Sequence, residues 1–272
     1  SLTEDLRKKI KTHTKELALR LKIKGLINIQ FAIKDNIVYA LEVNPRASRT
    51  VPFVSKVTNV PLAKLAAKVS LGAKIKELKI HYKKHDVVAV KKPVFPFNKF
   101  PNENIFLSPE MKSKGEAIGL DKKLGAAFAK AEMSASSSIP EKGTVFISVN
   151  SNDKMKAVNI ARDFEESAFN IIATLGTSQI LNQNGVYSKA IFKVGQGRPN
   201  IVDAMKNNEI DIIINTPLGG KARKDEYAIG QSAIRYKIPV FTTMSAAKAL
   251  TRSIQTIKTV SYTHLTLPTT LT

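Results

Sequence analysis

The sequence of 272 residues contains no cysteine. That excludes a disulfide framework, a thiolate metal site and a cysteine nucleophile. It also holds no apolar run near the roughly 20 residues that span a bilayer. Ser1 leads directly into a charged helical pattern, without the apolar segment of a secretory signal. A cytoplasmic location with no membrane association is therefore expected. Acidic residues are scarce: 22 Asp and Glu stand against 43 Lys and Arg, a formal net charge of +21. An excess of that kind can neutralise nucleic-acid phosphates. Here, however, the lysines are scattered along amphipathic stretches such as K-K-I-K-T-H-T-K, and no aromatic-interleaved patch accompanies them. The charge reads as solvated helix faces and as a field for small anionic ligands, and nucleic acid is not the expected partner. What remains is an ordinary globular composition, 43% hydrophobic and long enough for two modest domains.

The densest chemistry lies between Gln30 and Arg49, Q-F-A-I-K-D-N-I-V-Y-A-L-E-V-N-P-R-A-S-R. Residues 28–33 and 37–43 are β-rich runs, and Lys34, Asp35 and Asn36 between them supply turn chemistry, so the segment reads as a hairpin. A three-residue loop would set Phe31 against Tyr39, Ile29 against Leu41 and Ile33 against Ile37, gathering the large apolar side chains on one face. The other face would carry Asn28, Gln30, Glu42 and Asn44. A carboxylate with amide oxygens suits a hard cation such as Mg²⁺, which shares its ligands with substrate phosphates. Pro45 ends the ladder, and Arg46 and Arg49 follow with guanidinium forks that match phosphate oxygens. The alternative is a hairpin with a solvated polar face.

Elsewhere in this half, residues 3–22 read as an amphipathic helix capped by Thr3 and striped by Leu6, Ile10, Leu17 and Leu21. Pro61 to Leu71 reads as a second helix closed by Gly72. Residues 73–119 follow no clear period, and Asp121 is a candidate cap for a third helix. The run S-A-S-S-S-I-P-E-K-G then suggests a linker, with a domain boundary near residue 141.

Beyond it, strands at Thr144–Val149, Phe169–Thr174, Ala190–Val194, Asp211–Asn215 and Val240–Thr243 alternate with helical stretches. That alternation predicts a doubly wound, parallel five-stranded α/β domain, with ligands outside the carboxyl ends of its strands. Thr174-Leu175-Gly176-Thr177 follows one strand and opens a helix; Lys193 ends the next; Asn215 and Thr216 end the fourth; Lys154 follows the first. Each alone reads as a cap or a solvated lysine, but together they describe an anion site. G-Q-G-R-P at 195–199 reads as a turn, His81 and His85 as a solvated pair without a third ligand. Residues 259–272 match neither period and read as a non-native tail.

The stretches I-N-I-Q-F-A and L-E-V-N-P-R-A-S-R-T-V-P-F-V-S-K, with V-P-L-A-K-L-A and F-P-F-N-K-F-P after them, resemble the metal-binding end of an ATP-grasp domain. The form is that of carbamoyl phosphate synthetase large subunits. Gly143 to Gln255 resembles the methylglyoxal-synthase-like domain that closes those subunits. The resemblance implies a partial ATP-grasp domain, α+β, with a connecting segment over 1–141, and an allosteric domain over 142–258. It implies that Gln30, Glu42 and Asn44 coordinate Mg²⁺ or Mn²⁺ on ATP, and that Arg46 and Arg49 contact the phosphates in catalysis. It also implies that Lys154, Thr174, Thr177, Lys193 and Asn215, with Gly176 and Thr216 in the same loops, meet the phosphate or its neighbours in a UMP- or IMP-type effector. In the family, a ligase joins bicarbonate and ammonia at the expense of two ATP, for arginine or pyrimidine synthesis. With no cysteine here, a glutaminase small subunit would supply the ammonia, and the amino-terminal part of the large subunit would supply the phosphate loop and adenine pocket. This chain alone is therefore expected to be inactive as a synthetase. Three other readings remain open: a methylglyoxal-synthase-type lyase, for which no carboxylate base is evident; another ATP-grasp ligase; and a basic nucleic-acid-binding protein.

Overall fold

The computed structural model describes residues 2–80, 86–97, 112–135, 138–216 and 223–259, with backbone alone at 223–225. Most of F-P-F-N-K-F-P-N-E-N, both His81 and His85, the P-L-G-G of residues 217–220 and nearly all of the tail lie outside the described residues. The chain divides into two compact units, Ser1–Asp86 and Val87–Thr272. The small-residue segment near residue 141 thus falls inside the second unit.

The first unit begins with α1 (Glu4–Arg20), where the Thr3 hydroxyl accepts from the Leu6 N–H at 3.4 Å and Glu4 and Asp5 occupy the positive end of the helix dipole. Strands β1 (Asn28–Lys34) and β2 (Ile37–Asn44) pair antiparallel, and α2 (Thr50–Thr58) and α3 (Leu62–Ser70) follow. The hairpin loop has two residues, not three. Asp35 and Asn36 both take positive φ, 50° and 60°, the type I′ geometry that matches strand twist. Near the turn, Ala32 therefore opposes Tyr39 and Phe31 opposes Ala40, which alone would have scrambled the polar face. A bulge at Leu41 shifts the register by one, so that Gln30 opposes Glu42 and Asn28 opposes Asn44. The expected apolar pairing fails, because Ile37 and Tyr39 share the polar face and are exposed. The polar quartet is nevertheless assembled, by the extra residue instead of the loop. Among the described residues of this unit, only Leu6 and Val60 are buried hydrophobics.

The second unit opens with a hairpin, β3 (Val88–Val94) and β4 (Gly115–Asp121), in the region that showed no period. Helix α4 (Leu124–Ser134) is capped at Lys123, not Asp121. Asp121 instead ends β4, accepts from the Lys123 N–H at 3.0 Å and pairs with Lys130 at 2.8 Å. Helix α4 buries the small residues Gly125, Ala126, Ala127, Ala129 and Ala131 and lies close to its neighbours. A Cβ at Gly119 would stand 1.9 Å from the Ala127 carbonyl oxygen, and one at Gly125 would stand 2.5 Å from that of Arg252.

Five parallel strands follow: β5 (Gly143–Val149), β6 (Phe169–Thr174), β7 (Lys189–Ile191), β8 (Ile212–Thr216) and β9 (Val240–Phe241), in the order β7-β6-β5-β8-β9. Helices α5 (Lys154–Glu166), α6 (Leu175–Gln183), α7 (Ile201–Lys206), α8 (Arg223–Arg235) and α9 (Met244–Thr259) cover both faces. Alternation divides the core. Val145, Ile147, Ile171, Ile212 and Ile214 pack with α5 and α9, while Phe146, Ile172 and Ile213 pack with α7 and α8. Burying each such side chain contributes about 1.5–3 kcal/mol. The chain runs from β5 outward through β6 and β7, then returns to β8 on the other side, which makes the β5/β8 boundary a topological switch point.

Candidate functional site

At the hairpin, Gln30 and Glu42 face one another and are exposed, and Asn44 is half-buried. The Asn44 amide nitrogen donates to Glu42 Oε1, which leaves the Asn44 amide oxygen and the second carboxylate oxygen open to a cation. Among the described residues no group of three His, Asp or Glu side chains has metal-holding geometry. A single carboxylate flanked by amide oxygens nonetheless fits a hard cation that takes its remaining ligands from a bound phosphate. Arg46 and Arg49 are both exposed past the end of β2; Arg46 donates to its neighbour's carbonyl, Ala47 O, at 3.3 Å, and Arg49 stands at the N-cap position of α2. The hairpin brings Gln30, Glu42 and Asn44 together, and the two arginines follow on the same stretch of chain.

The second place is the carboxyl edge of the five-stranded sheet. There a cavity of about 270 Å³ opens at the switch point. All seven residues expected at the anion site line it: Lys154, Thr174, Gly176, Thr177, Lys193, Asn215 and Thr216. Lys193 does so from beyond its strand, which ends at Ile191 and not at Val194 as the pattern suggested. Asp211 likewise precedes β8, where its carboxylate accepts from the Thr144 N–H at 2.7 Å.

The amino terminus of α6 forms one wall. Thr174 occupies its N-cap position but makes no capping bond; its buried hydroxyl meets Thr177 Oγ1 at 3.2 Å instead. The first backbone N–H groups of α6 therefore have no side-chain cap, and the helix dipole adds positive potential in front of them. Lys154 reaches the same wall: a Cβ at Gly176 would lie only 3.2 Å from its Nζ. Glycine at 176 thus leaves room for the ammonium. Neither Lys154 nor Lys193 forms an ion pair among the described residues. Two free cations, two threonine hydroxyls and an uncapped helix end thus converge on one opening. Such a set supplies the donors that a phosphate or a similar oxyanion accepts from.

Six further lining residues escaped the sequence reading: Ser148, Val149, Asn150, Ser151 and, on α8, Glu226 and Ile229. Asn150 was signalled by its place just past the first strand. Glu226 had no local signal, because α8 reaches the cavity only through the fold.

Comparison with known proteins matches two separate regions of the chain. Residues 1–78 match the carbamoyl-phosphate synthase L chain, ATP binding domain, and residues 156–242 match the MGS-like domain. A carbamoyl phosphate synthase large chain, C-terminal section, from Aquifex aeolicus is 44% identical over 275 residues, covering 95% of this chain and 51% of that protein. The carbamoyl phosphate synthase large chain of Archaeoglobus fulgidus is 50% identical over 262 residues, 95% of this chain and 24% of its own length. That of Pasteurella multocida is 46% identical over 260 residues, with 94% and 24% covered. The chain spans about half the length of the Aquifex relative and about a quarter of the others. With a match to part of an ATP-binding domain followed by a match to an MGS-like domain, the chain is similar over nearly its whole length to the carboxyl-terminal part of carbamoyl phosphate synthase large chains.

Proposed function

We propose that the chain works as the carboxyl-terminal part of an ATP-dependent ligase that forms carbamoyl phosphate from bicarbonate and ammonia, and that its second unit is the regulatory module. The observation that carries the regulatory reading is the convergence of Lys154, Lys193, Thr174 and Thr177 on the uncapped end of α6. A nucleoside monophosphate such as UMP or IMP fits that opening. Its phosphate would meet the lysines and the α6 amides, and its sugar hydroxyls the Asn215 and Thr216 side.

The hairpin serves the chemical step in this reading. Gln30, Glu42 and Asn44 would hold Mg²⁺ or Mn²⁺, which neutralises phosphate charge during transfer. Arg46 and Arg49 would orient the same phosphates by bidentate bonds, so the contribution is positioning and electrostatics and not covalent chemistry. Partners follow from the same proposal: the remainder of the large chain, which holds the nucleotide, and a glutaminase subunit that releases ammonia. The pathway served would be arginine or pyrimidine synthesis, in the cytoplasm. Among the described residues no helix is long and apolar enough to cross a membrane.

The test has two arms. This polypeptide alone should form no carbamoyl phosphate from ATP, bicarbonate and ammonia; product from the isolated chain would contradict the proposal. Calorimetry should detect saturable UMP or IMP binding to the full chain, and no heat from either at millimolar ligand would count against the regulatory reading. A lyase acting on dihydroxyacetone phosphate keeps one observation in its favour, because Glu226 places a carboxylate on the cavity wall. Release of inorganic phosphate from that substrate would identify it.

A further inference from the structure

Where β5 and β8 end side by side, three residues close a polar knot. Asn150 donates from its backbone N–H to the Thr216 carbonyl at 3.0 Å. Its Nδ2 faces Asp153 Oδ2 at 2.8 Å, Thr216 O at 3.1 Å and Thr216 Oγ1 at 3.2 Å, and its Oδ1 accepts from the Asn152 N–H at 2.9 Å. The Asn150 amide therefore ties the Asp153 carboxylate, just past β5, to the end of β8. It is also the residue before Lys154, which begins α5.

Asp153 does not line the cavity, although Asn150, Lys154 and Thr216 do. A carboxylate beside an anion site is electrostatically unfavourable for the anion, so its presence calls for a geometric reason. Lys156, at 3.4 Å, is its ion-pair partner; it is exposed and does not line the cavity. Partial burial pushes the Asp153 carboxyl up, and the neighbouring Asn150, Thr216 and Lys156 outweigh that and hold it below the usual range, so the knot engages the ionised form.

We infer that Asp153 is a positioning residue for the anion site: through Asn150, whose amide also bonds Thr216, it locks the first turn of α5 to the end of β8, which fixes Lys154 relative to Asn215 and Thr216. This rests on the reading of the cavity as a phosphate site. The lock gives the cavity its spacing before any ligand arrives, and binding then requires no ordering of that turn.

The experiment compares full-length wild type with D153A, D153N and K154A, using UMP as the probe. D153A should bind UMP about tenfold more weakly, because a bound geometry held by charge-assisted hydrogen bonds is lost. D153N, which keeps an acceptor oxygen, should recover most of that loss. If Asp153 acted only through its charge, both variants would bind UMP more tightly than wild type, and that result overturns the inference. Amide hydrogen exchange on the unliganded proteins supplies the independent arm. D153A should exchange faster at residues 150–157 and unchanged at the buried strands 145–147 and 212–214; an unchanged rate at 150–157 also overturns the inference. Should wild type and K154A alike fail to bind UMP, the regulatory reading falls, while the exchange data still decide whether Asp153 holds that turn.

Discussion

Glu42 and Lys154, the residues proposed here to face phosphate, stand at or just past the ends of strands, on supports of opposite kind. Glu42 is exposed on a two-stranded hairpin, in a unit whose described residues bury only Leu6 and Val60 among the hydrophobics. Lys154 begins a helix anchored by Ala157, Val158, Ile160, Ala161 and Phe164, against a sheet packed on both faces. An isolated hairpin is marginally stable in water, whereas a parallel sheet covered on two sides carries its own core. A site on the second support is organised in advance. One on the first depends on further structure packed against it, and the exposed Ile37, Tyr39 and Leu41 mark where such packing is missing among the described residues.

The difference is sharpest in stability. Ile214→Ala, which empties a fully buried position in β8, should cost about 2–5 kcal/mol in denaturant unfolding of the second unit. Glu42→Ala should stay within about 0.5 kcal/mol, as an exposed substitution does. Comparable losses from the two would erase the contrast. Next in size is the ligand effect. Lys154→Ala removes one charge-assisted contact and should weaken UMP binding by about 10- to 150-fold, equivalent to about 1.5–3 kcal/mol, with the unfolding midpoint nearly unchanged.

A smaller effect concerns Glu132 on α4, which pairs with Lys92 while nearly excluded from water. Burial raises its carboxyl above the ordinary value, more than the Lys92 hydrogen bond and charge lower it. The folded state then holds its proton more tightly than the unfolded chain does. Stability should fall as pH rises from the ordinary glutamate value through the raised one, and Glu132→Gln should remove that slope. A wild-type slope identical to that of the Gln variant would contradict the assignment. The smallest signal is expected from Mg²⁺ alone at the hairpin, where one carboxylate and amide oxygens should bind at about millimolar or weaker. A tight site abolished by Glu42→Ala, without nucleotide, would show that the hairpin needs no outside support.

The sheet domain was readable because buried parallel strands are continuous apolar runs. V-F-I-S-V and I-I-I-N-T could stand only inside, and their ends had to meet at one edge. The hairpin's polar quartet was readable for a weaker reason. Alternation placed Gln30 and Glu42 on one face, but the register came from two positive-φ residues and a bulge at Leu41, and such backbone choices leave little trace in side-chain patterning. The β3-β4 hairpin was hidden by Pro93 in one strand and by Gly115 and Gly119 in the other, residues that usually break strands. Asp121 looked like a helix cap because its side chain does accept a backbone N–H, though as the last residue of a strand. The Asp153 knot joins residues 66 positions apart, Asn150 and Thr216, so only the fold brings it together.

If the sheet edge is the preorganised anion site and the hairpin is not, a nucleotide should perturb one and leave the other unchanged. Residue-resolved amide NMR of the full chain during titration with UMP tests it most directly. Saturable shifts are expected at residues 150–154, 174–177, 193 and 215–216, with the hairpin at 28–49 unmoved. Shifts confined to the hairpin, or none anywhere at millimolar UMP, would contradict it.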